Sequence, residues 1–296
     1  MFRPEYIVNN KVDWSAFSLN RNAVPVLEQN LNKIDWGYLS SNPNAIYLLE
    51  QNPDKINWNG WLSQNPNAIH IIEKYLNTNL NNLDKIKNIF WIGLSRNPNA
   101  IHLLEQHLNK INWYELSANP NAIPILEKNL DKISWFNLSR NPNAIHILEK
   151  NLNKVDWMNL SANPNAIHLL EQNPDKIYWW YLSANPNAIH ILEKNLNRVD
   201  VSGLSANPNA VHLIKQIKKV HHCSISSNPS TIHLLEQNPE IIDWRYLSYN
   251  PNAIHLLAQL NAEKMKEKCK TFAEELASYV FHQERITRLH KIYGLN

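Results

Sequence analysis

The chain has 296 residues with a net charge of +3, and 44% of them are hydrophobic, enough apolar material for a sizeable core and too mild a charge to imply nucleic acid. It holds five glycines against 16 prolines and 46 asparagines, a composition suited to short helices joined by rigid turns. Cys223 and Cys269 form no CxxC pattern, the N-terminal MFRPEYIVNN lacks an apolar core, and no run of about 18 apolar residues occurs. A secreted disulfide scaffold and a helical membrane span are therefore excluded, and an intracellular protein is expected.

Residues 1–12, with Phe2, Tyr6 and Ile7, read as a modest N-terminal cap. From Trp14 the chain repeats one phrase, Trp-x-x-Leu-Ser-x-Asn-Pro-Asn-Ala-Ile-His-Leu-Leu-Glu. The first copy is degenerate, with Arg21 in the proline place; Pro43, Pro66, Pro98, Pro120, Pro142, Pro164, Pro186, Pro208, Pro229 and Pro251 mark ten more, mostly 22 residues apart. A fixed period of this length is the signature of a stacked repeat array. An insertion over about 78–88 separates the third and fourth copies.

Each repeat accommodates two short helices. The first opens on Asp13, Asp35, Asn57, Asn112, Ser134, Asp156, Asp200 or Asp243, all residues whose side-chain oxygen caps a helix N-terminus. It carries Trp and Leu on one face and is short enough for 3₁₀ character. Asn-Pro ends it, because the residue before proline disfavours the helical region. The second helix covers Ala-Ile-His-Leu-Leu-Glu. Pro124 stands in the His place of the fifth copy, which points to Asn121, after Pro120, as the cap. Trp, Leu, Ala, Ile and the Leu pair then stack as ladders into a continuous core, which no repeat buries alone. The expected fold is an all-α solenoid, a superhelix of about eleven repeats over 13–260. Layers 8–10 Å apart would extend it to roughly 100 Å. Residues 261–296 read as a helical C-terminal cap on the last repeat.

The phrase LSANPNAIHLLEKN resembles the leucine-rich-repeat-variant motif, which implies short 3₁₀ and α-helices stacked in a superhelix. Over about 250 residues the tandem Leu-Ser-x-Asn-Pro-Asn-Ala-Ile copies resemble repeat proteins of giant double-stranded DNA viruses of the mimivirus kind. The tail from Glu274 to Gly294 resembles one found on repeat proteins of those viruses, although Gln283 stands where the usual form has proline. That resemblance implies a viral source, placing the protein in host cytoplasm or virion, and an interaction role with a host or viral protein. It supplies no catalytic residues.

The histidine ladder, His70, His102, His146, His168, His190, His212, His233 and His255, repeats at one helix position. Metal ligation or a pH-sensitive stripe would use such residues, but copies one layer apart cannot share one metal. Hydrogen bonds to backbone or asparagine groups in the turns are expected instead. His221, His222 and Cys223 are a weak zinc signal in what reads as a degenerate copy, and this region, Val199–Ser227, is expected to be the least stable joint. The tryptophans, with fixed spacing to Leu, read as core rather than as stacking platforms for bases. No nucleophile elbow, phosphate-binding loop or metal motif occurs; no enzyme, cofactor or metal is expected.

What varies while this frame stays constant is the pair of positions after each Trp and the one before Asn-Pro. They hold Tyr38, Trp61, Tyr114, Phe136, Met158, Trp180, Tyr181, Tyr246 and Tyr249, with Arg96, Arg140 and Arg245. Solenoids present variable residues on a constant scaffold, and aromatic residues and Arg are enriched where binding energy concentrates. The expectation is an extended protein-binding face. A nucleic-acid-binding helical repeat is the alternative, weakened by how few of these positions are basic.

Overall fold

A computed structural model describes residues 6–58, 60–79, 86–260 and 270. They divide into two units, residues 11–254 and a smaller one drawn from the two ends of the chain.

Residues 11–254 hold the repeats. First helices run over Trp14–Leu19, Trp36–Ser40, Asn88–Arg96, Trp113–Ser117, Trp135–Arg140, Trp157–Ser161, Trp179–Ala184, Val201–Ala206, His222–Ser227 and Trp244–Tyr249. Each of Asp13, Asp35, Asn112, Ser134, Asp156, Asp200 and Asp243 accepts a hydrogen bond from the backbone N–H three residues on, as expected of caps. The third copy has one extra residue, a turn through Gly60 at φ 96° and, among its described residues, no first helix. The first helices are α-helical. The 3₁₀ turns lie in the tails, such as Leu152–Lys154 and Pro174–Lys176. The second helix begins at Ile, after an Ala with no side-chain cap.

The asparagine before proline, not Asn121, organises the turn. Asn119 Oδ1 accepts the Asn121 N–H at 3.0 Å, while its amide reaches the preceding repeat, donating to the carbonyls of Ser95 and Asn97 at 3.0 Å each. Asn121 spends its own amide on the Pro98 carbonyl, also in the preceding repeat. Buried polar groups must find partners, and here one side chain satisfies two carbonyls and one N–H. A third bond joins the layers: the Ser hydroxyl donates to the Trp carbonyl of its own helix and accepts the N–H of the next repeat's cap, as Ser117 does from Ser134 at 2.9 Å.

The first asparagine of the turn makes its two bonds to the preceding repeat in all eleven copies, the first included and the tenth too, where Ser230 replaces the second asparagine. For Asn20 the preceding repeat is the last one. Its amide donates to Ser248 and Asn250 at 3.0 and 2.9 Å, Asn22 donates to Pro251, and Asp13 N–H donates to Ser248 Oγ. Helix Trp14–Leu19 packs on helix Trp244–Tyr249 as it packs on Trp36–Ser40. Residues 11–254 thus close into a ring, and the expected length of roughly 100 Å becomes a circumference.

Direct helix-to-helix packing between repeats is concentrated on the first helices. In a closed ring of paired layers the crowded layer has the smaller radius, so the first helices line the inside and the second helices the outside. The core between them is Leu, Ala and the Leu-Leu or Ile-Leu pair, with Ser and Asn of the ladders fully buried beside them.

In the other unit, Tyr6–Val8 pairs antiparallel with Ala258–Leu260, Tyr6 opposite Leu260. Of the two segments read as caps and the insertion, residues 1–5, 80–85 and all of 261–296 except Lys270 lie outside the described residues. No described helix is long and apolar enough to cross a membrane.

Candidate binding surface

The variable positions lie on the inner wall because each first helix turns its Trp and Leu outward to the core and its second, third and sixth residues away from it. Four of the expected side chains are well exposed: Tyr114 at 52%, Trp180 at 51%, Phe136 at 45% and Tyr246 at 39%. Tyr38, Trp61, Met158, Tyr181 and Tyr249 are half-buried, and Arg96, Arg140 and Arg245 are exposed.

Several of these residues meet across repeats. The Tyr114 and Phe136 rings stack nearly parallel with centroids 6.4 Å apart and Tyr38 and Trp61 lie 5.0 Å apart; within one helix, Trp180 meets Tyr181 edge-on. Arg96 makes a bidentate pair with Glu115 at 2.6 and 2.7 Å, and that hydrogen bonding raises its pKa above the ordinary value. Arg140 makes no ion pair; the residue in the place of Glu115 one repeat on is Asn159, which is buried and bonded to Asp156. Arg245 approaches Asp13 only to 3.7 Å. Burial pushes the Tyr249 phenol up, so it stays a neutral donor. The wall thus offers aromatic faces, amides and two guanidiniums not held in a close bidentate pair.

The bonds of the histidines correct the expectation for them. Six of the eight bond neither backbone nor asparagine but the Glu of the preceding repeat: His70 to Glu50, His102 to Glu73, His146 to Glu127, His168 to Glu149, His190 to Glu171 and His212 to Glu193, all at 2.8–2.9 Å. These exposed pairs span the wider gap between second helices on the outer rim. Among the described residues no three His, Cys, Asp or Glu side chains converge as a metal site would require. His221 Nδ1 lies 3.0 Å from Ser224, and the Cys223 thiol donates to Asp243. Burial and that bond raise the thiol pKa, which disfavours the nucleophilic thiolate.

The tryptophans are less deep than expected. Only Trp91 is buried; the other repeat tryptophans are half-buried, and six of them serve as seats for cations, five of these from the tail of the same repeat. Lys33 lies over Trp14, Lys132 over Trp113, Lys154 over Trp135, Lys176 over Trp157 and Arg198 over Trp179, at 4.3–5.0 Å from the ring centre. Lys11 lies over Trp244 at 4.7 Å, which repeats the arrangement at the closing joint. Sequence reasoning missed these lids, although a basic residue recurs two places before the first-helix cap. It also missed a mostly apolar groove of about 510 Å³ on the outer side, between Pro53, Ile56, Ile71 and the stacked rings of Trp58 and Tyr75.

The chain matches no protein-family model, no curated protein and no solved structure.

Proposed function

We propose that the ring is a non-enzymatic binding module that holds a protein partner against its inner wall. One observation carries this reading: the constant asparagines before each turn are consumed by bonds between repeats, whereas Tyr114, Phe136, Trp180 and Tyr246 are exposed on the inner wall. Large rigid rings lose little entropy when they are covered, which makes exposed aromatics costly to keep in water and effective in a complex. The likeness of the repeat phrase to giant-virus proteins supports a host or viral protein inside an infected cell as the partner.

A photoreactive benzoylphenylalanine at Phe136 tests this. Irradiation should join the ring to a protein, and the same group at Leu152 on the outer rim should not. Substituting Tyr114, Phe136, Trp180 and Tyr181 together with Ser should abolish the capture while changing stability by less than about 1 kcal/mol, as expected of surface substitutions. Equal adducts from positions 136 and 152, adducts to nucleic acid, or a quadruple variant that unfolds would each overturn the reading.

A further inference from the structure

Resting on that reading, we infer that the partner segment is a single acidic α-helix that enters the ring end-on.

Size sets the first limit. Eleven layers, ten of them first helices and one the Gly60 turn, stacked 8–10 Å apart put their axes on a circle about 30 Å across, and subtracting one helix diameter of 10–12 Å leaves an opening of roughly 20 Å. One α-helix with its side chains passes through that opening and comes within reach of aromatic side chains that project from the wall. A folded domain of about 100 residues has a radius of gyration near 13 Å and does not.

Closure sets the second. The joint between the first and last repeats has the same asparagine bonds, serine acceptor and cation lid as the others, with Arg245 and Asp13 in addition. Every joint keeps the asparagine bonds, so the ring offers no open side and a partner has to pass its end through the opening.

Charge sets the third. The wall carboxylates Asp13, Asp35 and Asp156 are occupied as helix caps, and Glu115 is held by Arg96. Arg140 lies in the sixth repeat and Arg245 in the eleventh, five of eleven steps apart and so on opposite sides of the ring. Arg140 lies four residues after Phe136 on the same helix, and Arg245 adjoins Tyr246 and Tyr249. Each side therefore pairs aromatic surface with a cation, which fits a helix bearing aliphatic and carboxylate side chains on two opposed faces. A nucleic-acid strand would leave most of its phosphates unmatched on this wall.

The test uses the full chain and a fluorescent helical peptide of about 20 residues built from Glu, Leu and Ala, a length of about 30 Å. Its counterpart with Lys for Glu and an oligothymidylate of similar length are the controls. The acidic peptide should bind, and the variant Arg140→Ala/Arg245→Ala should weaken it at least about tenfold. The charge-reversed variant Arg140→Glu/Arg245→Glu should take the Lys peptide instead, an outcome that misfolding cannot produce. Attaching a folded domain to both ends of the acidic peptide should slow association about a hundredfold, whereas one end should matter little. Failure of the acidic peptide to bind, equal binding of the oligothymidylate, or equal association of the doubly blocked peptide would overturn the inference. If the crosslink from position 136 still reaches a protein, only the partner's chemistry falls; if that crosslink fails too, the inner-wall reading falls with it.

Discussion

Repeats five to eight and repeats nine and ten carry the same fold on very different side chains. In the first group each interface has the asparagine bonds, the serine acceptor, a His–Glu pair and a cation seated on Trp. In the second, Val201 and His222 stand where Trp belongs, Lys215 replaces the Glu that would meet His233, and Ser230 replaces the second asparagine. The asparagine bonds survive unchanged: Asn207 donates to Ser183 and Asn185, and Asn228 to Ser205 and Asn207, at 2.8–3.1 Å. So does the serine acceptor, with Ser205 receiving the His221 N–H at 3.0 Å. The buried asparagine and serine define the repeat, and the tryptophan, histidine and lysine are fittings added where room permits.

The largest effect should therefore come from the asparagine ladder. Asn163 is fully buried, donates to Ser139 and Asn141, and accepts from Asn165. Asn163→Ala strands two buried carbonyls at about 1–3 kcal/mol each and a partly buried N–H, a loss of roughly 4 kcal/mol. Asn163→Asp should be worse despite its similar shape, since it sets a carboxylate against two carbonyl oxygens. Chemical denaturation that ranks Asp above Ala in stability would show that the ladder's amide donors are not what joins the layers.

The repeat, its helices and its first-helix caps were legible because each depends on residues within about twenty positions of one another. Ring closure depends on a sum. Eleven steps close only if each turns by about 33°, and a few degrees per step, set by side-chain volume across each joint, separate a flat ring from an open superhelix. Yet the first copy gave a local hint. It had lost its proline to Arg21 but kept Asn20 and Asn22, whose amides bond only to a preceding repeat, so a repeat had to precede it. The lining residues were found because they vary against a constant frame. Their inner position was not, since that too follows from closure. The His–Glu pairs and cation lids were hidden because each joins residues about twenty apart that a helix-by-helix reading treats as separate surface groups.

Gly203 tests whether repeats eight and nine compensate for the missing tryptophan. A Cβ there would lie 2.5 Å from the Trp180 carbonyl oxygen and 2.9 Å from Ser183 Cβ, so the close approach of these two first helices depends on glycine. Gly203→Ala should cost about 2 kcal/mol through overpacking against backbone. In the unsubstituted chain, amide exchange over Val199–Ser227 should be faster than over Ile145–Val199, because the former lacks the tryptophan seats and the second His–Glu pair. Equal protection in the two stretches would mean that the asparagine ladder and the glycine contact suffice alone.

The smallest effect isolates one fitting. Lys176 sits 4.6 Å from the centre of the Trp157 ring and makes no ion pair, so its charge acts chiefly on that ring. Lys176→Gln keeps most of the side-chain length and removes the charge, and should cost about 0.5–1 kcal/mol, the range for an exposed cation over an aromatic face. Lys176→Arg should retain the stability, as Arg198 occupies the same place over Trp179 at 4.3 Å. Because Trp157 is only half-buried, tryptophan fluorescence should shift to the red in the Gln variant as water reaches the uncovered face. If Gln and Arg behave alike, the lysine works through its aliphatic stem rather than its charge, and the lid becomes part of the packing that repeats nine and ten do without.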